Sequence, residues 1–395
     1  MENKTIIKNG RVLTPFRVIN NGFVLLEGSK ILEVSERDFD IPEAKVIDAA
    51  GQYISPGFID LHVHGGGGYD FMDCTEEAFL GVGATHARYG TTAMVPTTLT
   101  AEKEQLLATL DMYASVKHKV YDGCRYLGIH LEGPYFAMNQ RGAQDPRYIR
   151  NPDPAEYMEI LNYSNDIVRW SAAPELPGAL EFARELTKRN IIASLAHTDA
   201  IYEDVRLGFE NGYTLATHLY SAMSGVTRKN VFRYAGAVEA AFLIDAMDVE
   251  IITDGIHLPP PLLQLVYKIK GPAKTALITD AMRAAGMPEG ESILGSLTNG
   301  LKVIVEDGVA KLIDRSSFAG SVATADRMVR TMHKMAHIPL LDVIQMASLT
   351  PATIMGVEKQ TGSLVAGKDA DIVLFDDDIN ISTTMVQGRI VYQKK

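Results

Sequence analysis

Apolar positions follow two different rhythms along this chain. Over the first fifty residues they form short runs, Lys4 to Lys8, Gly22 to Leu26 and Ile31 to Val34, separated by Asn9-Gly10, Asn20-Asn21-Gly22 and Glu27-Gly28. Short β-type runs punctuated by Gly and Asn predict strands joined by turns, so this stretch reads as a β meander. The style returns near the other end in Asp371 to Phe375, Thr384 to Val386 and Arg389 to Tyr392, the last two meeting at Gln387-Gly388. The two ends are expected to share one sheet.

Between them, eight apolar runs alternate with longer stretches of helical period: Gly57 to Val63, Thr92 to Pro96, Tyr126 to Leu131, Val168 to Ala172, Ile191 to Ala196, Tyr213 to Thr217, Val249 to Thr253 and Thr275 to Thr279. Pro177 to Arg189 is one helix, with Leu180, Ala183 and Leu186 on a single face. Ser321 to His337 and Leu340 to Ser348 read as the last helices, and Pro259-Pro260-Pro261 as a loop. Strands alternating with helices predict βαβ units and a parallel sheet, and eight such strands close a barrel. The expected fold is α/β: a (β/α)8 TIM barrel over residues 55–359, with a small β-sandwich domain formed from residues 1–54 and 360–395. Length agrees, since a chain of 395 residues accommodates a barrel of roughly 250 residues and a smaller companion.

Composition narrows the class of partner. With 46% apolar and 22% charged residues, a large core can be buried. A formal charge of −11 excludes nucleic acid or an anionic membrane as the main partner, because either would repel it. The N-terminus lacks the apolar stretch of a signal peptide, and no uncharged run approaches the roughly 20 residues that span a bilayer. Cys74 and Cys124 are the only cysteines, which fits a reducing cytoplasm, and both are expected to be structural.

Residues able to bind a metal fall at the C-terminal ends of the predicted strands, the rim on which such barrels carry their active sites. His62 and His64 close the first strand, and residues two apart on a strand point to the same side. Glu132 ends the third strand, His197 the fifth, His218 the sixth and Asp280 the eighth. Nitrogen and oxygen donors without thiolates suit Zn²⁺, Fe²⁺, Mn²⁺ or a similar ion, so bound divalent metal is expected. A lone histidine near a strand is usually structural; this many donors at strand ends on one rim are not. His130 shares the face of Glu132 one pair deeper and is expected to support or pack. Gly65 to Gly68 precede no Gly-Lys-Ser, so a nucleotide loop is not implied.

Pro56-Gly57-Phe58-Ile59-Asp60-Leu61-His62-Val63-His64-Gly65 resembles the opening motif of the amidohydrolase superfamily. His130-Leu131-Glu132-Gly133-Pro134, Ala196-His197-Thr198-Asp199-Ala200, Thr217-His218-Leu219-Tyr220, Asp254-Gly255-Ile256-His257 and Thr279-Asp280-Ala281 resemble the N-acetylglucosamine-6-phosphate deacetylase family. The resemblance runs through nearly the whole chain. It implies hydrolysis of the acetamide of an amino-sugar phosphate in a cytoplasmic homodimer. Glu132, His197 and His218 would then hold one ion, and His62, His64 and Asp280, sharing Glu132, a second. Asp280 would take the proton of the attacking water and pass it to the amine. His257 would contact substrate beside the acetyl carbonyl, with Gln144, Ser221 and Ala222 around the sugar. Many superfamily members bridge two metals with a carbamylated lysine on the fourth strand; Arg169 to Glu175 contains none, which leaves the bridge to Glu132.

Two positions depart from that family. Ser221 stands where an asparagine is usual, and Thr227 to Arg233 replaces an Arg-Glu-Pro-Gly run that binds the 6-phosphate. Arg228, Lys229 and Arg233 keep the charge, and such groups make charge-assisted bonds to phosphate. The alternatives are therefore another N-acyl hexosamine, either the galactosamine epimer or an unphosphorylated sugar, and a non-catalytic scaffold.

Overall fold

The computed structural model describes residues 4–39 and 41–394. Its centre is a ring of parallel strands: Phe58–Val63, Thr91–Pro96, Ile129–Glu132, Ile167–Ala172, Ile192–Leu195, Tyr213–Ala216, Asp248–Ile252 and Thr275–Ile278. The last six form one sheet in sequence order, and the first two pair with each other. Parallel bridges Thr97 to His130 and Val63 to Ala281 join the two pieces, and Asp280 donates its amide to the His62 carbonyl at 3.0 Å. The result is a TIM-barrel-like ring with helices outside. These strands are buried on both faces, which explains their near-continuous apolar runs.

Trp170 on the fourth strand is fully buried, stacks on Tyr135 with ring centres 5.7 Å apart and meets the edge of Phe182 at 5.1 Å. Its indole N–H donates to the Gly133 carbonyl at 2.8 Å. This packing fixes the end of the third strand beside the fourth, and with it the position of Glu132.

Strands from the two ends of the chain form one eight-stranded sheet. Tyr53–Pro56 pairs antiparallel with Ile372–Phe375 in the register Ile54 to Leu374. The small β unit packs on an apolar cluster of its own that includes Val12, Val24, Ile54 and Leu374.

Several local expectations give way to backbone geometry. Asn9-Gly10 and Asn20-Asn21-Gly22 are not turns. They lie inside the strands Lys4–Leu13 and Val18–Glu27 at an irregularity in pairing, with Asn9 and Asn21 at φ 57° and 52°; a bulge uses the same left-handed residues that a turn does. The proline triplet opens a helix, Pro260–Lys270, with Pro259 as its cap, because the first turn needs no amide donor. The third barrel run breaks at Leu127 and Gly128: Arg125–Tyr126 pairs only with the second strand and Ile129–Glu132 with the fourth. The expected helix from Ser321 begins at Ala325 and passes into a π-turn at Thr331–Met335. A three-stranded antiparallel sheet, Gly290–Leu294, Leu301–Glu306 and Val309–Leu312, follows the eighth barrel strand and had no counterpart in the expectation.

Candidate metal centre

At the C-terminal rim the side chains of His62, His64, Glu132, His197, His218 and Asp280 converge and are buried. Two overlapping groups, His62, His64 and Glu132, and Glu132, His197 and His218, each bring their potential ligand atoms within 4.8 Å of one another. Glu132 belongs to both. Its Oε1 lies 3.3 Å from His197 Nε2, 3.0 Å from His218 Nε2 and 3.5 Å from His62 Nε2, and its Oε2 3.4 Å from His64 Nε2. Asp280 Oδ1 faces His62 Nε2 at 3.4 Å and His64 Nε2 at 3.2 Å. The two ring nitrogens of the His-x-His pair face each other at 3.2 Å.

His197, His218 and Asp280 have φ of 47°, 33° and 49°. Each strand stops there and the backbone turns through the left-handed region, which is costly for residues with a Cβ and is met most often at functional sites. The turn directs the side chain inward as the chain leaves for the next helix.

The donor set fits a divalent cation. His64, His197 and His218 turn Nδ1 toward backbone carbonyls of Thr97, Gln140 and Ser221 at 3.3, 2.8 and 3.1 Å. Nδ1 donates there, leaving the Nε2 lone pairs aimed at carboxylate oxygens. Lone pair against carboxylate is unfavourable without positive charge between them, and this arrangement orients metal-ligating histidines. Titration agrees. Burial alone would raise the Glu132 carboxyl, but positive charge on the imidazoles around it, had they both protons, would hold it well below the usual range. Burial opposes charge on His64 as well; the Asp280 hydrogen bond and the charges of Glu132 and Asp280 overcome it and raise the imidazole to about 9. The cluster selects for positive charge.

A solvent-open cavity of about 630 Å³ lies over these groups. His257, Gln144, Ser221 and Ala222 line it. Gln144 donates to Glu132 Oε2 at 2.7 Å and accepts from the Thr100 amide and hydroxyl, so it braces the carboxylate. His257 Nδ1 pairs with Asp254 Oδ2 at 2.8 Å, which leaves Nε2 for a ligand. Arg228 and Lys229 do not line the cavity: they lie on an exposed hairpin, Thr227–Lys229 and Phe232–Tyr234, with Arg233 on its return strand. His130 stays one level deeper, its two nitrogens facing Ser171 Oγ at 2.6 Å and Thr97 Oγ1 at 3.2 Å.

Ser317 and Phe318 also line the cavity, with Phe318 packed on the His257 ring at 4.6 Å between centres. Sequence reasoning missed both; the only local signal was one aromatic residue in a run of small ones. The Gly65-Gly66 segment forms a tiny hairpin with Tyr69-Asp70, and a Cβ on Gly65 would lie 2.3 Å from the Tyr69 carbonyl oxygen. Close backbone packing explains that glycine.

A parallel strand ring with imidazoles and carboxylates gathered at its C-terminal rim defines the class of barrel hydrolases. The chain belongs to the amidohydrolase family, whose model matches residues 53–391, and within it to the N-acetylglucosamine-6-phosphate deacetylases. It is 37% identical over 340 residues to N-acetylglucosamine-6-phosphate deacetylase of Vibrio furnissii, covering 86% of this chain and 83% of that one. It is 33% identical over 346 residues to N-acetylgalactosamine-6-phosphate deacetylase of Escherichia coli O157:H7, covering 87% and 89%. The structure of N-acetyl-D-glucosamine-6-phosphate deacetylase from Mycobacterium smegmatis, a mutant in complex with N-acetyl-D-glucosamine-6-phosphate, superposes with a TM-score of 0.90 at 29% identity, over 99% of this chain and 100% of that one.

Proposed function

We propose that this enzyme hydrolyses the acetamide of N-acetyl-D-glucosamine 6-phosphate to glucosamine 6-phosphate and acetate. The observation that carries the reading is Glu132 shared between the two histidine pairs, at the floor of a cavity that His257 overlooks. His62, His64 and Asp280 with Glu132, and Glu132 with His197 and His218, would hold one or two divalent ions. Such an ion, when bound, acidifies a water molecule and polarises the amide carbonyl.

The rest falls to the protein's own groups. Asp280 takes one proton of the attacking water as its oxygen bonds to the carbonyl carbon. It returns that proton to the nitrogen as the C–N bond breaks. Burial would raise the Asp280 carboxyl, but the His64 hydrogen bond and the nearby imidazoles hold it below its usual value, so it is ionised and ready to accept at neutral pH. His257, oriented by Asp254, directs Nε2 at the acyl group, and Phe318 walls the site on that side.

The sugar is the less constrained part. Ser221 lines the cavity with a short hydroxyl, and a relative at 33% identity carries the galactosamine name, so the 4-epimer is the second substrate to consider. Phosphate recognition fits a cytoplasmic homodimer in which the basic hairpin reaches the neighbouring subunit's cavity. Its Val231 and Phe232 are 73% and 68% exposed, as a surface awaiting a partner would be. Acetate release from N-acetylglucosamine and N-acetylgalactosamine, each with and without 6-phosphate, tests the reading, and silence toward all four overturns it. Treatment with a metal chelator is expected to abolish release and added Zn²⁺, Fe²⁺ or Mn²⁺ to restore it; full activity in chelated protein, shown metal-free by elemental analysis, contradicts the metal role.

A further inference from the structure

Beneath the candidate metal centre the barrel interior is polar, and His62 Nδ1 is among its atoms that have no hydrogen-bond partner within the described residues. Arg169 on the fourth strand and Glu250 on the seventh are both fully buried. Arg169 Nη1 donates to Glu250 Oε1 and Nη2 to Oε2 at 2.7 Å. The guanidinium also donates to Ser194 Oγ at 2.9 Å, Thr217 Oγ1 at 2.7 Å and the Leu61 carbonyl at 3.3 Å. Leu61 is the residue just before His62. Glu250 Oε2 lies 4.0 Å from His62 Nδ1, and that nitrogen is buried with no hydrogen-bond partner among the described residues. His130 stands edge-on to the His62 ring at 4.9 Å, but both its nitrogens are committed elsewhere.

His62 therefore differs from the other three histidines of the cluster, whose Nδ1 atoms each face a backbone carbonyl. An imidazole binds a cation through the nitrogen that carries no proton, and the group facing the other nitrogen decides which one that is. At His62 the site itself pulls the wrong way: Glu132 at 3.5 Å and Asp280 at 3.4 Å would draw the single ring proton to Nε2. A cation bound at Nε2 needs that proton on the far side. We propose that Glu250, fixed by Arg169, is a positioning residue that keeps the His62 proton on Nδ1 and so leaves the Nε2 lone pair for a divalent cation shared with His64. Arg169 grips both Glu250 carboxylate oxygens, and its bond to the Leu61 carbonyl sets the depth of the strand that carries His62. The pair is neutral as a unit, so it adds no net repulsion under a cation. The proposal rests on reading the cluster as a metal centre.

Glu250→Gln removes the charge and keeps the shape. Zn²⁺ binding to the full-length wild type and variant, measured in competition with a chromogenic chelator, is expected to show one ion bound about 10–100-fold more weakly, the usual effect of losing such a partner, and the other unchanged. His62→Ala identifies the affected ion. Side-chain ¹⁵N shifts of histidine-labelled, metal-free protein are expected to move His62 from the Nδ1–H to the Nε2–H form. Unchanged Zn²⁺ affinity in Glu250→Gln, an unchanged His62 tautomer, or wild-type Zn²⁺ binding by His62→Ala each overturns the positioning role. If Glu250→Gln fails to fold, Arg169→Gln/Glu250→Gln, which leaves no unpaired buried charge, replaces it with the same expected weakening, and wild-type affinity in it counts against the proposal. A wild type that binds no Zn²⁺, Fe²⁺ or Mn²⁺ overturns the metal-centre reading itself, an outcome separate from a wild type that binds and a variant that binds equally well.

Discussion

Asp280 is held by its backbone as firmly as by its side chain: its amide donates to the His62 carbonyl at 3.0 Å and its carbonyl accepts from Ser321 at 2.8 Å. Asp280→Asn leaves both bonds in place, removes the ability to accept a proton and also exchanges a charged metal donor for a neutral one. Turnover is expected to fall by about 10²–10⁴-fold, the range of general acid–base contributions, with the thermal midpoint little changed; steady-state kinetics beside a melting curve reads both. Asp60, on the same strand as His62, shows the opposite behaviour. Burial raises its carboxyl to about 7, although Thr279 and the His62 amide donate to it. An unfolded aspartate titrates near about 3.9, so the folded chain binds the extra proton between roughly pH 4 and 7. The sign follows: this residue's contribution favours folding at the acid end and is lost as pH rises through that window. Denaturant midpoints at pH 5.5 and 8 are expected to show a smaller alkaline loss in Asp60→Asn than in the wild type.

The hairpin Thr227–Lys229 and Phe232–Tyr234 is an element whose contribution can be separated from the chemistry, since none of its residues lines the cavity. Replacing Arg228, Lys229 and Arg233 by alanine is expected to raise KM for the 6-phosphate sugar at least tenfold with kcat little changed, and to leave the free sugar unaffected; an equal effect on both sugars removes phosphate from the account. Elements also show what a sequence discloses. The eight barrel strands were legible because burial on both faces writes a continuous apolar run that stops abruptly at a polar residue, and that residue is the one at the rim. Asn9-Gly10 was not, because a bulge and a turn ask for the same left-handed backbone. The strands from Gly290 to Leu312 were overlooked, although Asp307-Gly308 between alternating residues carries a hairpin signal. Arg169 and Glu250 were invisible for a different reason: a charge in a core strand reads as an exception until its partner, 81 positions away, is seen beside it.

For the molecule as a whole, the joint between barrel and terminal sheet is apolar, with Phe375 and Ile381 in the barrel's core cluster, and also ionic. Arg125, from the strand beside the second barrel strand, donates to Asp369 at 2.7 Å and to Asp371, and Asp371 is fully buried against Thr361. Arg125→Leu leaves a buried carboxylate without its cation, which is expected to destabilise the protein on the order of 3 kcal/mol; a denaturant melt that moves by less than a third of that indicates the joint is carried by apolar contact instead. The pairing of Tyr53–Pro56 with Ile372–Phe375 also bears on how the molecule comes to exist. A ribosome delivers the first of these strands early and the second only after the entire barrel has emerged. For that interval Tyr53–Pro56 has an open edge and part of its apolar cluster is uncovered, so the early strands must wait, protected by the barrel or by a chaperone. A message cut short anywhere before residue 372 yields a chain whose exposed edge marks it as unfinished.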